Sequence, residues 1–225
     1  MVTYRSTILT NEQFYHVFNR GIERRAIFSN KREFDRALNT LKYYRYANVP
    51  FKFSKFLVQT EENKTNLLKS FNIKENELVE IIAYCLMPNH FHLLLKQIKD
   101  NGISKFISNL TNSYTKYFNT KHERVGALMQ GIFKAVRVET DEQLIHLSRY
   151  IHLNPVSSFV IKEQDLNNYP WFSYREYLGL EKDEFCAKEY VLNNFKTKED
   201  YQKFVLDQLS YAQELERIKH LLVEN

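Results

Sequence analysis

Two short apolar runs constrain this chain most: residues 79–86 (VEIIAYCL) and 90–96 (HFHLLLK), parted by Met87-Pro88-Asn89. Runs of this length, bounded by a proline-containing turn and rich in Ile and Leu, read as strands. The first is mostly buried. The break between them makes a turn or bulge, so the pair is expected to form a hairpin.

The rest of the chain supplies elements around that hairpin. Residues 13–20 (QFYHVFNR) alternate as a strand does and end at Arg20-Gly21, a turn. Asn30 with Glu33 forms a capping-box pattern, after which Phe34, Leu38, Leu41 and Tyr44 follow at helical spacing. Asn48-Val49-Pro50 stops that helix, and residues 51–59 read as another strand. Residues 60–77 are polar, with a short helical pattern around Leu67, Leu68 and Phe71, as in an insertion. Ile103, Phe106, Ile107, Leu110, Tyr114 and Tyr117 mark one face of a long helix. A loop at 126–131 precedes a short strand at 133–138. Thr140 and Gln143 make a second capping box, opening a helix that Pro155 is expected to close.

Strand, helix, strand, strand, helix, strand is the order of a ferredoxin-like α+β sandwich with a central antiparallel sheet, here with one more helix behind it. The pattern weakens after about residue 160. We therefore divide the chain into a sandwich domain, 1–160, and a mainly helical C-terminal extension, 161–225.

Composition narrows the function classes. A hydrophobic fraction of 44% supports an ordinary core and argues against disorder. The only cysteines, Cys85 and Cys186, form no CxxC pair, which argues against a disulfide framework and a thiolate zinc site. No run reaches membrane-spanning length and the N-terminus lacks a signal-peptide block, so a cytoplasmic protein with no membrane partner is expected. A net charge of +5 is compatible with a polyanionic partner.

His90-Phe91-His92 carries the strongest chemical signal. Side chains two apart on a strand share a face, so both imidazoles point one way and Phe91 the other. Two imidazoles on one face can chelate a divalent metal, although an HxH pair alone is more often two half-exposed strand histidines. On the helix opened by Thr140, Tyr150 and Asn154 lie four apart along one edge, beside the apolar face of Leu144, Leu147 and Ile151. His146 lies one turn earlier. Tyr150 could be a nucleophile facing the sheet or a packing aromatic, and periodicity does not decide between them.

The string from Tyr84 to Lys96 closely resembles the metal-binding strand of the HUH tyrosine transposases, the initials standing for His, a bulky hydrophobe and His. It is most similar to the REP-associated tyrosine transposases, relatives of the small single-tyrosine insertion-sequence enzymes. Three further pieces occur in family order: Tyr15-His-Val-Phe-Asn-Arg-Gly21, Gly126-Ala-Leu-Met-Gln-Gly-Ile-Phe-Lys134 and Tyr150-Ile-His-Leu-Asn-Pro155. Together they span roughly residues 10–175.

The resemblance implies the HUH endonuclease fold and a role for each matching residue. His90 and His92 would be the metal ligands, for Mg²⁺ or Mn²⁺. Tyr150 would be the catalytic tyrosine, ahead of its rivals Tyr114 and Tyr117, and Asn154 would complete the metal site. Arg20, Arg24, Arg25, Lys96, Lys105, Lys116, Gln130 and Lys134 would contact DNA, interleaved with aromatics that can stack unpaired bases. The implied activity is metal-dependent cleavage and strand transfer of single-stranded DNA beside a hairpin, through a 5′-phosphotyrosine. A catalytically silent hairpin-binding protein is the rival from another class, and a metal-dependent hydrolase with no covalent step is a third reading. Both a monomer and a homodimer are compatible with the resemblance. The chain departs from the family in its central motif. Met129-Gln130 and Ile132-Phe133 stand where Trp-Gln and Arg-Phe are usual, which removes a stacking aromatic and a phosphate-binding arginine.

Overall fold

The computed structural model describes residues 7–214. In chain order these form β1 (Phe14–Arg20), a 3-10 turn (Ile22–Arg24), α1 (Lys31–Tyr44), α2 (Phe53–Leu57), α3 (Glu61–Phe71), β2 (Val79–Met87), β3 (His90–Gln97), α4 (Gly102–Lys121), β4 (Lys134–Val138), α5 (Asp141–Ser157), α6 (Tyr174–Tyr177), α7 (Glu189–Leu192) and α8 (Lys198–Leu206). The strands make one sheet in the order β2-β3-β1-β4, and every neighbouring pair is antiparallel. This is the strand order of the ferredoxin-like sandwich that the sequence predicts.

Two cores lie on opposite faces of the sheet, because β3 is apolar at both parities. Phe91, Leu93 and Leu95 pack with Tyr15 and Val17 of β1 against α1 and α4. Leu94 packs with Ile82 and Met87 against Leu144 and Ile151 of α5 and against Tyr174, Tyr177 and Tyr201 of the C-terminal segment. In β2 the alternation changes parity at a bulge between Ile81 and Ala83. The bulge puts Val79 and Ile81 in the first core and still returns Tyr84 and Leu86 to it.

The predicted caps form. Asn30 accepts from the Glu33 amide at 3.3 Å, and Thr140 accepts from the Gln143 amide at 3.1 Å. In each case the residue three on reaches past the cap: Glu33 to the Ser29 amide and Gln143 to the Glu139 amide, both at 2.7–2.8 Å. Such caps are each worth about 1 kcal/mol.

Two expectations are corrected. Residues 51–59 are not a strand, since Phe53–Leu57 is helical. Phe53 and Phe56 are three apart, and a helix puts both rings on Tyr43, with centroids 5.1 and 4.9 Å from it. A strand would have split them between faces. Pro155 does not close its helix, because α5 runs on to Ser157. Proline's fixed φ is itself helical, so only one backbone bond is lost. The reversal comes at Phe159, whose φ of 56° is left-handed.

Candidate active site

The site forms where β1, β3 and α5 meet. Alternation on β3 sends His90 and His92 to the α5 side of the sheet, and alternation on β1 sends His16 and Phe18 there too. The register places His92 opposite Phe18, and His16 opposite Leu94. The His90 and His92 rings stand at 87° with centroids 4.9 Å apart. α5 lies across β2 and β3 and brings Tyr150 down onto this group. The Tyr150 ring meets His92 edge-on at 5.4 Å and His16 at 6.1 Å. Tyr150 is 42% exposed, whereas His92 is only 7% exposed. The phenol is therefore open to a large substrate while the imidazole it touches is shielded.

His16 is a site residue that the sequence reading passed over. Its Nε2 lies 2.9 Å from Nδ1 of His92, and the two rings stack at 5.1 Å. Burial lowers the His16 pKa to about 4, so this imidazole is neutral at pH 7. A neutral His16 with its lone pair on Nε2 accepts from His92 Nδ1–H and leaves the lone pair of His92 on Nε2. His90 is oriented in the same way, with its Nδ1 2.6 Å from Asn89 Oδ1. The signal for His16 was present in the sequence: it is the one polar residue between Phe14 and Phe18 on an otherwise aromatic strand face.

A cavity of about 740 Å³ opens beside the imidazoles and is lined by His90, His92, Arg20, Arg24, Gln130 and Lys134 among others, with no carboxylate in its wall among the described residues. Gln130 brings the 126–131 loop to this wall, and that loop is held to the end of β1 by the Gln130 amide to Arg20 O (2.8 Å) and by Arg20 Nε to Gln130 Oε1 (2.5 Å). Gly21 permits the tight turn, since a Cβ there would sit 2.4 Å from the Arg25 carbonyl oxygen. Glu23 and Arg24 then adopt left-handed φ values of 55° and 58°, a strained pair that displays Arg24 at the cavity. Met129 is buried in the first core, and Ile132 lines the cavity where the family usually has arginine. Positive charge enters the wall through Arg20, Arg24 and Lys134 instead.

The structure does not gather all the predicted site residues. Asn154 is buried at the end of α5 with its Oδ1 3.5 Å from Ser158 Oγ, and no contact joins it to either imidazole among the described residues. Arg25 pairs with Glu23 at 3.5 Å. Lys96 shares the face of the histidines but sits at the far end of β3, held by Glu12 (2.6 Å) and the Tyr190 hydroxyl (3.1 Å). Lys105 is exposed on α4, and Lys116 lines a different cavity. His146 turns to Arg149 and Phe204. Tyr114 belongs to the first core, on the other side of the sheet. Its buried hydroxyl donates to Ile27 O, and burial raises its pKa well above the usual phenol value. Tyr117 packs against the same core.

Among the described residues, no three His, Cys, Asp or Glu side chains cluster to hold a metal. The donor set nevertheless fits an open catalytic cation. Two imidazoles on one face, each oriented through Nδ1, can supply two ligands, and the remaining positions fall to amide, phosphate or water oxygens.

An α+β sandwich with a tyrosine helix laid over paired strand histidines defines a class of protein, and comparison with known proteins gives its family. The family model described as "Transposase IS200 like" matches residues 43–154, which hold the histidine pair and the tyrosine helix, and the chain belongs to that family. A solved structure described as a REP-associated tyrosine transposase bound to a REP hairpin matches with TM-score 0.53 and 16% identity, over 80% of this chain and 88% of that one. That likeness establishes the fold. A Deinococcus radiodurans chain provisionally described as a transposase matches at TM-score 0.35 and 15% identity, over 67% of this chain and 95% of that one. No curated protein matches the chain. No helix among the described residues is long and apolar enough to cross a membrane.

Proposed function

We propose that this chain cleaves and rejoins single-stranded DNA beside a hairpin, with Tyr150 as the nucleophile. The observation that carries this reading is the edge-on contact of the partly exposed Tyr150 ring with His92, which lines a cavity whose wall is basic and, among the described residues, free of carboxylates. The solved relative bound to a REP hairpin supports the choice of substrate.

In this reading Arg20, Arg24 and Lys134 hold the phosphates flanking the scissile bond and set the strand's direction through the cavity. His90 and His92 would hold a divalent cation, Mg²⁺ or Mn²⁺, through their Nε2 atoms. When bound, that ion supplies Lewis-acid polarisation of the scissile phosphate. The Tyr150 oxygen attacks phosphorus, giving up its proton as the new O–P bond forms and the P–O3′ bond breaks. The leaving oxygen takes a proton to become a free 3′-OH, and the DNA 5′-phosphate stays on Tyr150. One phosphodiester replaces another, so an incoming 3′-OH can reverse the step and transfer the strand without an energy source. His16 fixes the ring of His92.

Incubation of the protein with labelled hairpin DNA carrying a single-stranded tail, in Mn²⁺, should yield a covalent protein–DNA adduct. Tyr150→Phe should abolish it and leave hairpin affinity within about twofold. An adduct that persists in Tyr150→Phe would refute the nucleophile. Tight hairpin binding with no adduct in the wild type would instead favour a silent binding protein.

A further inference from the structure

A second cavity, of about 760 Å³, lies on the helix layer that covers the opposite face of the sheet from Tyr150, between α1, α4 and the segment entering α2. Arg32, Arg36, Lys52 and Lys116 line it, and no carboxylate among the described residues does. None of these four forms an ion pair among the described residues, whereas Lys121 at the rim is tied to Glu33 at 2.5 Å. Four unneutralised cations facing one concavity repel each other and are stabilised by an anion placed among them.

Arg36 shows how such a site is built. Its guanidinium sits over the Phe53 ring at 4.5 Å and the Tyr117 ring at 5.1 Å. The aromatic rings hold it in place but offer no hydrogen-bond acceptor, and its Nε is buried without a partner, as is the hydroxyl of Tyr117 beside it. Burial also lowers the Arg36 pKa. Buried polar groups are nearly always satisfied, and each one left unmade costs about 1–3 kcal/mol. With those atoms enclosed, the guanidinium is held by packing alone, and its charge in a wall of cations calls for an acceptor with several oxygens on the cavity side. Phosphate has that chemistry, and the planar guanidinium suits it better than an ammonium does. At the same rim Leu57 and Val58 are 41% and 79% exposed. They give an apolar surface that a bare phosphate ion would not use and that a sugar or base would cover.

We propose that this groove binds a nucleotide segment of a single DNA strand, with its phosphate on Arg36 and the flanking lysines and its base against the apolar rim. It is a second strand-binding site, separate from the cavity at His90 and His92. The assignment rests on the DNA-processing reading above, but its test is separable from it.

The test uses anisotropy of a fluorescent oligothymidine and of a blunt hairpin with no single-stranded tail. The wild-type chain is compared with the triple variant Arg32→Gln, Lys52→Gln, Lys116→Gln, whose substituted side chains are exposed. The triple variant should bind oligothymidine at least about 10-fold more weakly. Its salt slope should be shallower by about 2, since each phosphate neutralised on a single strand adds roughly 0.7 to that slope. Blunt-hairpin affinity should stay within about twofold. Arg36→Gln, with its fold checked by circular dichroism, should weaken the same strand alone. Equal oligothymidine affinity and slope in wild type and triple variant would overturn the proposal, as would a wild type that binds no oligothymidine. A third arm is calorimetry with inorganic phosphate. Phosphate binding abolished in the variant while oligothymidine binding is unchanged would mark a free-phosphate site and overturn the strand assignment. Adduct formation by wild type, followed in parallel, reports on the Tyr150 chemistry independently, since neither result requires the other.

Discussion

At the scale of the residue, His92 contacts both His16 through Nδ1 and the edge of Tyr150. Its orientation therefore couples the proposed metal-binding nitrogen to the proposed nucleophile. His16→Phe keeps an aromatic ring of similar bulk against Phe18 but removes the hydrogen-bond partner of His92 Nδ1. Mn²⁺ affinity measured by calorimetry should fall about 10- to 100-fold, as is usual when a ligand's hydrogen-bond partner is removed. Metal-free DNA affinity should be unchanged, and His16→Gln should recover part of the loss. Equal Mn²⁺ binding by wild type and His16→Phe would show that His16 only fills space. The His90–His92 pair was legible in the sequence because a strand's two-residue period is rigid. Tyr150 was legible only with the family resemblance, since 15 tyrosines share the chain. His16 was missed because a lone histidine in an aromatic strand carries no spacing signal, and its partner lies 76 residues away.

At the scale of the element, α1 and α4 are joined at Glu33, which is fully buried. It accepts from Lys121 Nζ at 2.5 Å, His122 Nε2 at 2.7 Å and the Ser29 amide at 2.7 Å. Burial pushes its pKa up, but the hydrogen bonds from Lys121, Ser29, His122 and Asn30 outweigh that and hold it at about 2, against an ordinary 4.5. The folded value lies below the unfolded one, so the unfolded chain binds more protons between pH 4.5 and 2. The stabilisation is complete above about pH 4.5 and is lost as pH falls toward 2. Glu33→Gln should cost about 3 kcal/mol at pH 7, the low end for breaking a buried pair, because Lys121 stays partly solvated. It should also flatten the acid limb of stability measured by urea unfolding. An unchanged acid limb would refute the assignment. The cap at Asn30 and the helix it opens were legible because capping is local. The α2 helix was not, since FKFSK alternates as a strand does and only Tyr43, on a neighbouring helix, makes Phe53 and Phe56 share a face.

At the scale of the whole molecule, the order of the four sheet strands and of the long helices between them was legible because each turn and cap is written locally, and the antiparallel ladder follows from that order. The packing of the C-terminal segment was not, because it depends in part on a residue of α5 that points away from the candidate active site. His152 is fully buried, with Nδ1 2.7 Å from the Tyr201 hydroxyl of α8 and Nε2 2.7 Å from Ser173 Oγ. Ser148, one turn earlier, meets the same Tyr201 hydroxyl at 3.0 Å. The helix that carries Tyr150 on its outer edge is thus pinned from behind by the segment after residue 160. Burial lowers the His152 pKa to about 3 from an ordinary 6.5. Because the folded chain resists protonation there, the unfolded chain binds more protons between those values, and stability from this residue is complete above about pH 6.5 and declines below it. The slope from one such group is at most about 1.4 kcal/mol per pH unit. Its upper part, between about pH 4.5 and 6.5, lies above the window set by Glu33, so the two can be resolved there. His152→Gln keeps hydrogen bonding but does not titrate, and should remove up to that slope between about pH 4 and 6 in urea unfolding, while the limb below it persists. Tyr201→Phe should destabilise at pH 7 by about 1–3 kcal/mol, the cost of leaving His152 and Ser148 without their shared partner. If the extension holds α5 in register with the sheet, Tyr201→Phe should also slow adduct formation at saturating DNA more than it weakens DNA binding. Equal losses in rate and affinity would mean that the extension supports the fold without positioning Tyr150.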